Sequence, residues 1–294
     1  MDIIQIHELT KDYGDHKGIF DVSFSIKEGE SFGFLGPNGA GKTTTIRHLM
    51  GFINADKGRC TIKGMDCKQE VQRIQQFLGY VPGEISLPED MTGMEFIEFM
   101  AAYRGLKELT LAHRLIERFE LNPKGKIKKM SKGMKQKVGI VTAFMHNPEV
   151  LILDEPTGGL DPLMQNRFID LITEEKQQGK TILMSSHLFE EVERTCDRVG
   201  MIKQGELKAI DTIEQLKASQ KRTYIVVFED EAQAAVFAAE PLQIVAHEAN
   251  RVTVSVQQDM NLFIASLHRF SIKDLKAKEQ TLEEVFLHYY SDIQ

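Results

Sequence analysis

The order of apolar and polar positions changes character three times along the chain. Near the N-terminus Val22, Phe24 and Ile26 alternate with Ser23, Ser25 and Lys27, the period of a strand with one buried face. Glu28-Gly29-Glu30 marks a turn, and Ser31-Phe32-Gly33-Phe34-Leu35 is apolar enough for a strand covered on both faces. A helix follows the next glycine-rich turn: Ile46, Leu49 and Met50 share one face, and Gly51 closes it. A hairpin is expected around Lys57-Gly58, leading into Cys60-Thr61-Ile62-Lys63. From about residue 87 to 145 the period becomes helical. Thr92 and Glu95 fit a capping box, and Phe96, Ile97, Phe99, Met100 and Tyr103 make a stripe that ends near Gly105. A second helix carries Leu111, Leu115, Ile116 and Phe119 and stops before Pro123. Alternation then resumes with a strand at 150–153, a helix around 165–178 and a strand at 181–184. This order predicts βαβ crossovers and a parallel core sheet.

Past about residue 217 the pattern starts afresh. A strand at 223–228, a helix at 231–239 and strands at 242–245 and 251–256 are followed by a helix with Phe263, Leu267 and Phe270. A terminal helix carries Leu282, Val285, Phe286 and Tyr289. The series describes a β-α-β-β-α-β-α accessory domain of ferredoxin-like type. The chain thus divides into residues 1–217, with a helical insertion at 87–145, and residues 218–294.

Composition narrows the function classes. The 294 residues carry a net charge of −7, and residues 218–294 hold seven basic against eleven acidic side chains. That balance speaks against a nucleic acid or lipid partner for the second domain. Runs such as Val150-Leu151-Ile152-Leu153 stop far short of the roughly 20 apolar residues of a membrane span, and Met1-Asp2-Ile3-Ile4-Gln5 is not the pattern of a signal peptide. Cys60, Cys67 and Cys196 form no CxxC and no disulfide framework, as expected of a reduced, cytosolic chain.

Between the buried strand and the first helix lies Gly36-Pro37-Asn38-Gly39-Ala40-Gly41-Lys42-Thr43, which matches GxxxxGK[ST], with Thr44 next. Glycines let the backbone wrap a phosphate so that several N–H groups converge on it, and the helix adds the positive end of its dipole. Lys42 is expected to neutralise the β- and γ-phosphates and Thr43 to ligate Mg²⁺. Far along the chain, Asp154 and Glu155 end the strand at 150–153. Asp154 is expected to take the metal and Glu155 to act as general base. Ser185-Ser186-His187 ends a third strand, placing His187 within reach of the γ-phosphate.

With these pieces in order, residues 1–215 resemble the nucleotide-binding subunits of ATP-binding cassette (ABC) transporters. Met130-Ser131-Lys132-Gly133-Met134 is similar to the family's LSGGQ signature, Leu160-Asp161 to its dimer-contact loop, and Ser186-His187 to its switch histidine. Tyr13 falls where the family stacks an aromatic ring on adenine. The resemblance implies an α/β P-loop NTPase cassette: a parallel core sheet, an antiparallel β lobe and an α-helical insertion, here with a small α+β C-terminal domain. It implies an ATPase using ATP and Mg²⁺. Two copies would close head-to-tail so that Ser131, Gly133 and Met134, at the start of a helix at 135–146, face the nucleotide of the other copy. It also implies a separately encoded membrane-spanning permease, on whose inner, cytoplasmic face the subunit would sit.

Two features depart from the family pattern. Lys132 and Met134 replace a glycine and a glutamine of the signature, and Gly83 stands where the family has its Q-loop glutamine, leaving Glu84 as a partial substitute. The segment 279–286 resembles the ending of subunits from the bacterial drug, antibiotic and ion exporters. The competing reading is a regulatory or assembly ABC ATPase without a transport partner. A GTPase or small-molecule kinase lacks support, because no NKxD motif is present and the segment 131–137 would have no role in a kinase.

Overall fold

A computed structural model of the protein describes residues 1–218, 222–256, 260–279 and 284. The chain divides into two units, Met1–Ile213 and Glu214–Gln294, a few residues before the boundary at 217/218 that the sequence pattern suggests.

The first unit opens with β1 (Asp2–Asp12), β2 (Gly18–Lys27) and β3 (Ser31–Leu35), followed by α1 (Lys42–Leu49), β4 (Lys57–Ile62) and β5 (Met65–Asp66). Next come α2 (Val71–Phe77), β6 (Leu78–Val81), α3 (Gly93–Tyr103), α4 (Thr110–Arg118), a single 3₁₀ turn at Ile127–Lys129 and α5 (Lys132–Phe144). The unit finishes with β7 (Val150–Asp154), α6 (Pro162–Gln177), β8 (Thr181–Ser186), α7 (Phe189–Thr195), β9 (Arg198–Lys203) and β10 (Glu206–Thr212), and α8 (Ile213–Ala218) crosses the division. Two sheets result. One is antiparallel, in the order β2-β1-β4-β5; the other runs β10-β9-β3-β8-β7-β6 and is parallel except for the β9–β10 pair.

Residues that alternate in β1 and β2, among them Ile4, Leu9, Val22, Phe24 and Ile26, turn inward and pack with β3 and α1. The Phe24 and Phe32 rings stack at 5.0 Å between centroids. β3, β7 and β8 are buried at every position, as a central parallel strand with both faces covered requires. At the C-terminus of α1, Gly51 has φ 71°, and the Gly51 and Phe52 N–H groups donate to the His48 and Arg47 carbonyls. This is a Schellman closure, and the sequence places it correctly.

Two sequence expectations change. The hairpin expected at Lys57-Gly58 lies at Lys63-Gly64, between β4 and β5, where both residues have positive φ. Gly58 sits in a bulge of β4 against β1, and a Cβ there would meet the Glu8 carbonyl oxygen at 2.3 Å. A glycine inside a strand therefore marks close approach of a second backbone here rather than a turn. The signature helix begins at Lys132, not at 135, because Ser131 caps it by accepting from the Met134 N–H at 3.2 Å. At α3 the expected capping box is complete: Glu95 N–H donates to Thr92 Oγ1 and Thr92 N–H to Glu95 Oε2.

In the second unit, β11 (Arg222–Phe228), α9 (Glu231–Ala238), β12 (Gln243–Glu248), β13 (Arg251–Val256), α10 (Met260–Leu267) and β14 (Ile272–Glu279) follow in turn. The sheet order is β12-β13-β11-β14 with every pair antiparallel, the split βαβ arrangement of a ferredoxin-like fold. Val226, Phe228, Phe237, Val252, Val254 and Phe263 form its core. Phe270 falls after α10 but still packs edge-on to Phe228 and Phe237. The terminal helix expected at Leu282, Val285, Phe286 and Tyr289 lies outside the described residues, as does most of the exporter-like ending.

Candidate functional site

β3, β8 and β7 are neighbours in the parallel sheet, so the residues after their carboxyl ends converge on one place. A cleft of about 820 Å³ lies there, lined by Tyr13, Asn38, Gly39, Ala40, Gly41, Lys42, Thr43, Thr44, Asp154 and Glu155. The loop before α1 makes this geometry possible. Gly39 and Gly41 have φ of 79° and 113°, in the region that Cβ-bearing residues avoid, so the backbone N–H groups can turn inward.

Lys42 is almost wholly buried. Its Nζ donates to the Gly36 carbonyl at 2.6 Å and the Pro37 carbonyl at 3.2 Å, and it lies 3.2 Å from Glu155 Oε1. His187 Nδ1 lies 3.3 Å from the other oxygen, Glu155 Oε2. The structure therefore brings Lys42, Glu155 and His187, which are far apart in sequence, into a single chain of polar contacts. Glu155 itself has φ 45°, left-handed backbone in a non-glycine residue, held by donation of its N–H to the Ser185 carbonyl and Oγ at 3.2 and 3.1 Å. Strain of this kind at a strand end fixes where a side chain points.

Asp154 is fully buried. Ser185 Oγ donates to its Oδ1 at 2.5 Å, while Oδ2 is buried with no hydrogen-bond partner. An orphaned carboxylate oxygen at the edge of a phosphate cleft suits a cation or a cation-bound water. Thr43 lines the same cleft, and its hydroxyl offers a second hard oxygen of the type Mg²⁺ takes together with substrate phosphates. Asp154 and Thr43 therefore fit the metal assigned to them. The backbone of Gly83 closes on the same atom: a Cβ at position 83 would stand 3.3 Å from Asp154 Oδ2. Glu84 is exposed and lines the cleft.

Ser131, Gly133, Met134 and Asp161 lie outside the lining of this cleft. Ser131 and Met134 are joined by the capping bond described above, and Asp161 caps α6 by accepting from the Met164 N–H at 3.0 Å. Gly133 backs onto the loop after Glu155, where a Cβ would meet the Gly159 carbonyl oxygen at 2.5 Å. Buried Gln136 donates to the Pro156 carbonyl at 2.7 Å. The signature helix is thereby fastened to the loop that carries Glu155.

Sequence reasoning missed several residues of the site. Ser185 orients both acids and is readable only from the strand pairing that sets it opposite Asp154. Tyr80, Arg47 and Lys17 also line the cleft, beside Lys132, which the sequence already marks as a departure from the signature. Burial first, and the Asp154 charge second, push the Tyr80 hydroxyl up to about 12, opposed by Arg47. Tyr80 belongs to β6, a strand of four residues and too short to announce itself by its period.

The arrangement agrees with known proteins. A family model described as ABC transporter matches residues 19–158. The linearmycin resistance ATP-binding protein LnrL of Bacillus subtilis (strain 168) is 35% identical over an alignment of 308 residues that covers 97% of each chain. A solved ATP-binding subunit of an ABC transporter is 32% identical, with a TM-score of 0.67 over 73% of this chain and 92% of that one. The cassette MJ0796, solved as a dimer in a post-hydrolysis state bound to ADP and Pi, shares the fold at 22% identity, with a TM-score of 0.65 over 72% of this chain and 99% of its own. The chain belongs to the ABC transporter family, as an ATP-binding cassette of the ABC ATPase type.

Proposed function

We propose that this ABC ATPase binds MgATP, closes head-to-tail on a second copy and powers export by a separately encoded membrane-spanning subunit. The observation that carries the reading is the convergence of Lys42, Thr43, Asp154, Glu155 and His187 on the ends of three adjacent strands. The loop N–H groups and Lys42 bind the β- and γ-phosphates, and Tyr13, 56% exposed at the rim, offers its ring to adenine. Thr43 and Asp154 hold Mg²⁺, which when bound neutralises phosphate charge. Glu155 takes the proton of the attacking water, and His187 steadies the carboxylate through its second oxygen. Ser131, Gly133 and Met134 serve the partner copy's nucleotide, and Asp161 lies at the contact between copies.

The dimeric, post-hydrolysis state of the MJ0796 cassette supports the paired arrangement. A relative named for linearmycin resistance supports export of a toxic compound. Among the described residues no helix is long and apolar enough to cross a membrane, in keeping with a subunit placed peripherally on the cytoplasmic face. The residues from Glu214 onward form an accessory unit whose acidity argues for a protein rather than a nucleic acid partner. Affinity purification of the chain from its native membranes tests the reading. A polytopic membrane protein that accompanies it, and that stimulates Mg²⁺-dependent ATP hydrolysis abolished by Lys42→Ala, is the expected result. Recovery with ribosomes or DNA instead would favour the regulatory alternative.

A further inference from the structure

Lys132 opens α5 immediately after its cap, Ser131. A lysine in the first turn of a helix opposes the dipole and is disfavoured there. No acid close in sequence offsets it: the first turn of α5 holds none, and between Leu121 and Pro148 the chain has seven lysines and no acidic residue. The side chain is exposed but runs close over the loop after Glu155. Its Cγ and Cδ lie 3.1 and 3.2 Å from the point where a Cβ on Gly159 would stand, so a side chain at 159 would displace it. Gly159, with φ +85°, leaves that space open. Seated over this loop, Lys132 lines the same cleft as Lys42, Asp154 and Glu155 of its own chain.

We propose that Lys132 is a phosphate-binding cation of its own protomer's cleft, acting on the terminal phosphate before a second copy closes over it. The proposal rests on the nucleotide-binding reading above and adds to it a residue at a position where the family signature has glycine. The electrostatics favour the role. Lys42 is engaged by Glu155, and although Lys17 and Arg47 also line the cleft, Glu84, Asp154 and Glu155 offset much of that charge, so a polyphosphate approaching it gains from a further cation at the rim.

The test is calorimetric titration of ADP and of a non-hydrolysable ATP analogue, adenylyl imidodiphosphate. It is run at a protein concentration where sedimentation shows monomers. Wild type is expected to bind both. Lys132→Gln should bind the analogue about tenfold more weakly and ADP less than about threefold more weakly, with the gap shrinking as salt is raised. Lys132→Arg should bind both within about twofold of wild type, because it keeps the charge. Equal affinities in wild type and Lys132→Gln overturn the proposal and leave the nucleotide-binding reading standing. So does a loss that Lys132→Arg does not restore, or one that emerges only at concentrations where dimers form. Failure of wild type to bind either nucleotide overturns both readings.

Discussion

Glu155→Gln tests whether the contact between Glu155 and Lys42 competes with nucleotide for the lysine. Lys42 Nζ and Glu155 Oε1 are 3.2 Å apart, with the lysine side chain 5% and the carboxylate 30% exposed. At that separation the attraction runs from about 1 kcal/mol at a water-like dielectric to about 5 kcal/mol at an effective value near 20. The partial exposure of Glu155 and the two backbone carbonyls that also receive Lys42 put the net cost of breaking the pair at about 1–2 kcal/mol. A nucleotide phosphate must meet that cost to claim the lysine. Removing the carboxylate charge should therefore tighten nucleotide binding by roughly 5- to 30-fold. The gain should be seen by equilibrium titration with both ADP and a non-hydrolysable ATP analogue, and Glu155→Ala should behave alike. If the variant held ATP more tightly but bound the analogue and ADP as wild type does, blocked hydrolysis would account for the effect. The ion pair would then be without consequence for binding.

Two further outcomes follow from the same geometry. Glu84→Ala is expected to lower the ATPase rate several-fold and to raise the Mg²⁺ concentration for half-maximal rate, since Gly83 offers Asp154 Oδ2 no side chain; unchanged rate and unchanged Mg²⁺ dependence would remove Glu84 from the site. For His146, burial, and then the neighbouring Arg104 charge, press the imidazole down to about 4, so its contribution is complete above about pH 6.5 and is lost as pH falls toward 4. Because the ring is partly exposed, that contribution is at most about 2 kcal/mol. His146→Gln should flatten the pH dependence of the denaturation midpoint in this window, and an unchanged slope would contradict the assignment.

The phosphate loop is legible because its chemistry is local: strand, glycines, lysine, threonine and helix are contiguous, and each has one structural use. Asp154, Glu155 and His187 are legible as strand-end residues, because an apolar run of four followed by a polar group defines both the strand and its end. What the sequence conceals is who neighbours whom. Insertion of β8 between β3 and β7 sets Ser185 beside Asp154, and no local period announces that pairing. The start of α5 is hard to place because Lys132, Gly133 and Met134 are poor evidence for a helix by apolar period. The helix starts there because Ser131 caps it. Gly58 invites a turn because glycine serves turns and bulges alike, and only the approach of β1 distinguishes them.

Ser185 explains how two adjacent acids come to point into different surroundings. Successive residues at a strand end point apart, yet that alone would leave both carboxylates free to rotate. Ser185 donates to Asp154 Oδ1 and accepts from the Glu155 N–H, so one hydroxyl fixes both. The bond to Asp154 leaves Oδ2 turned away and unpaired, available to a cation. The bond to Glu155, reinforced by the Ser185 carbonyl, holds the left-handed turn that swings the second carboxylate off the strand and toward Lys42 and His187. Loss of the hydroxyl would leave a buried Asp154 oxygen unpaired, at a cost of about 1–3 kcal/mol, and would also loosen the turn at Glu155. The different settings of the two adjacent carboxylates are therefore imposed by a neighbouring strand, not by the two acids themselves.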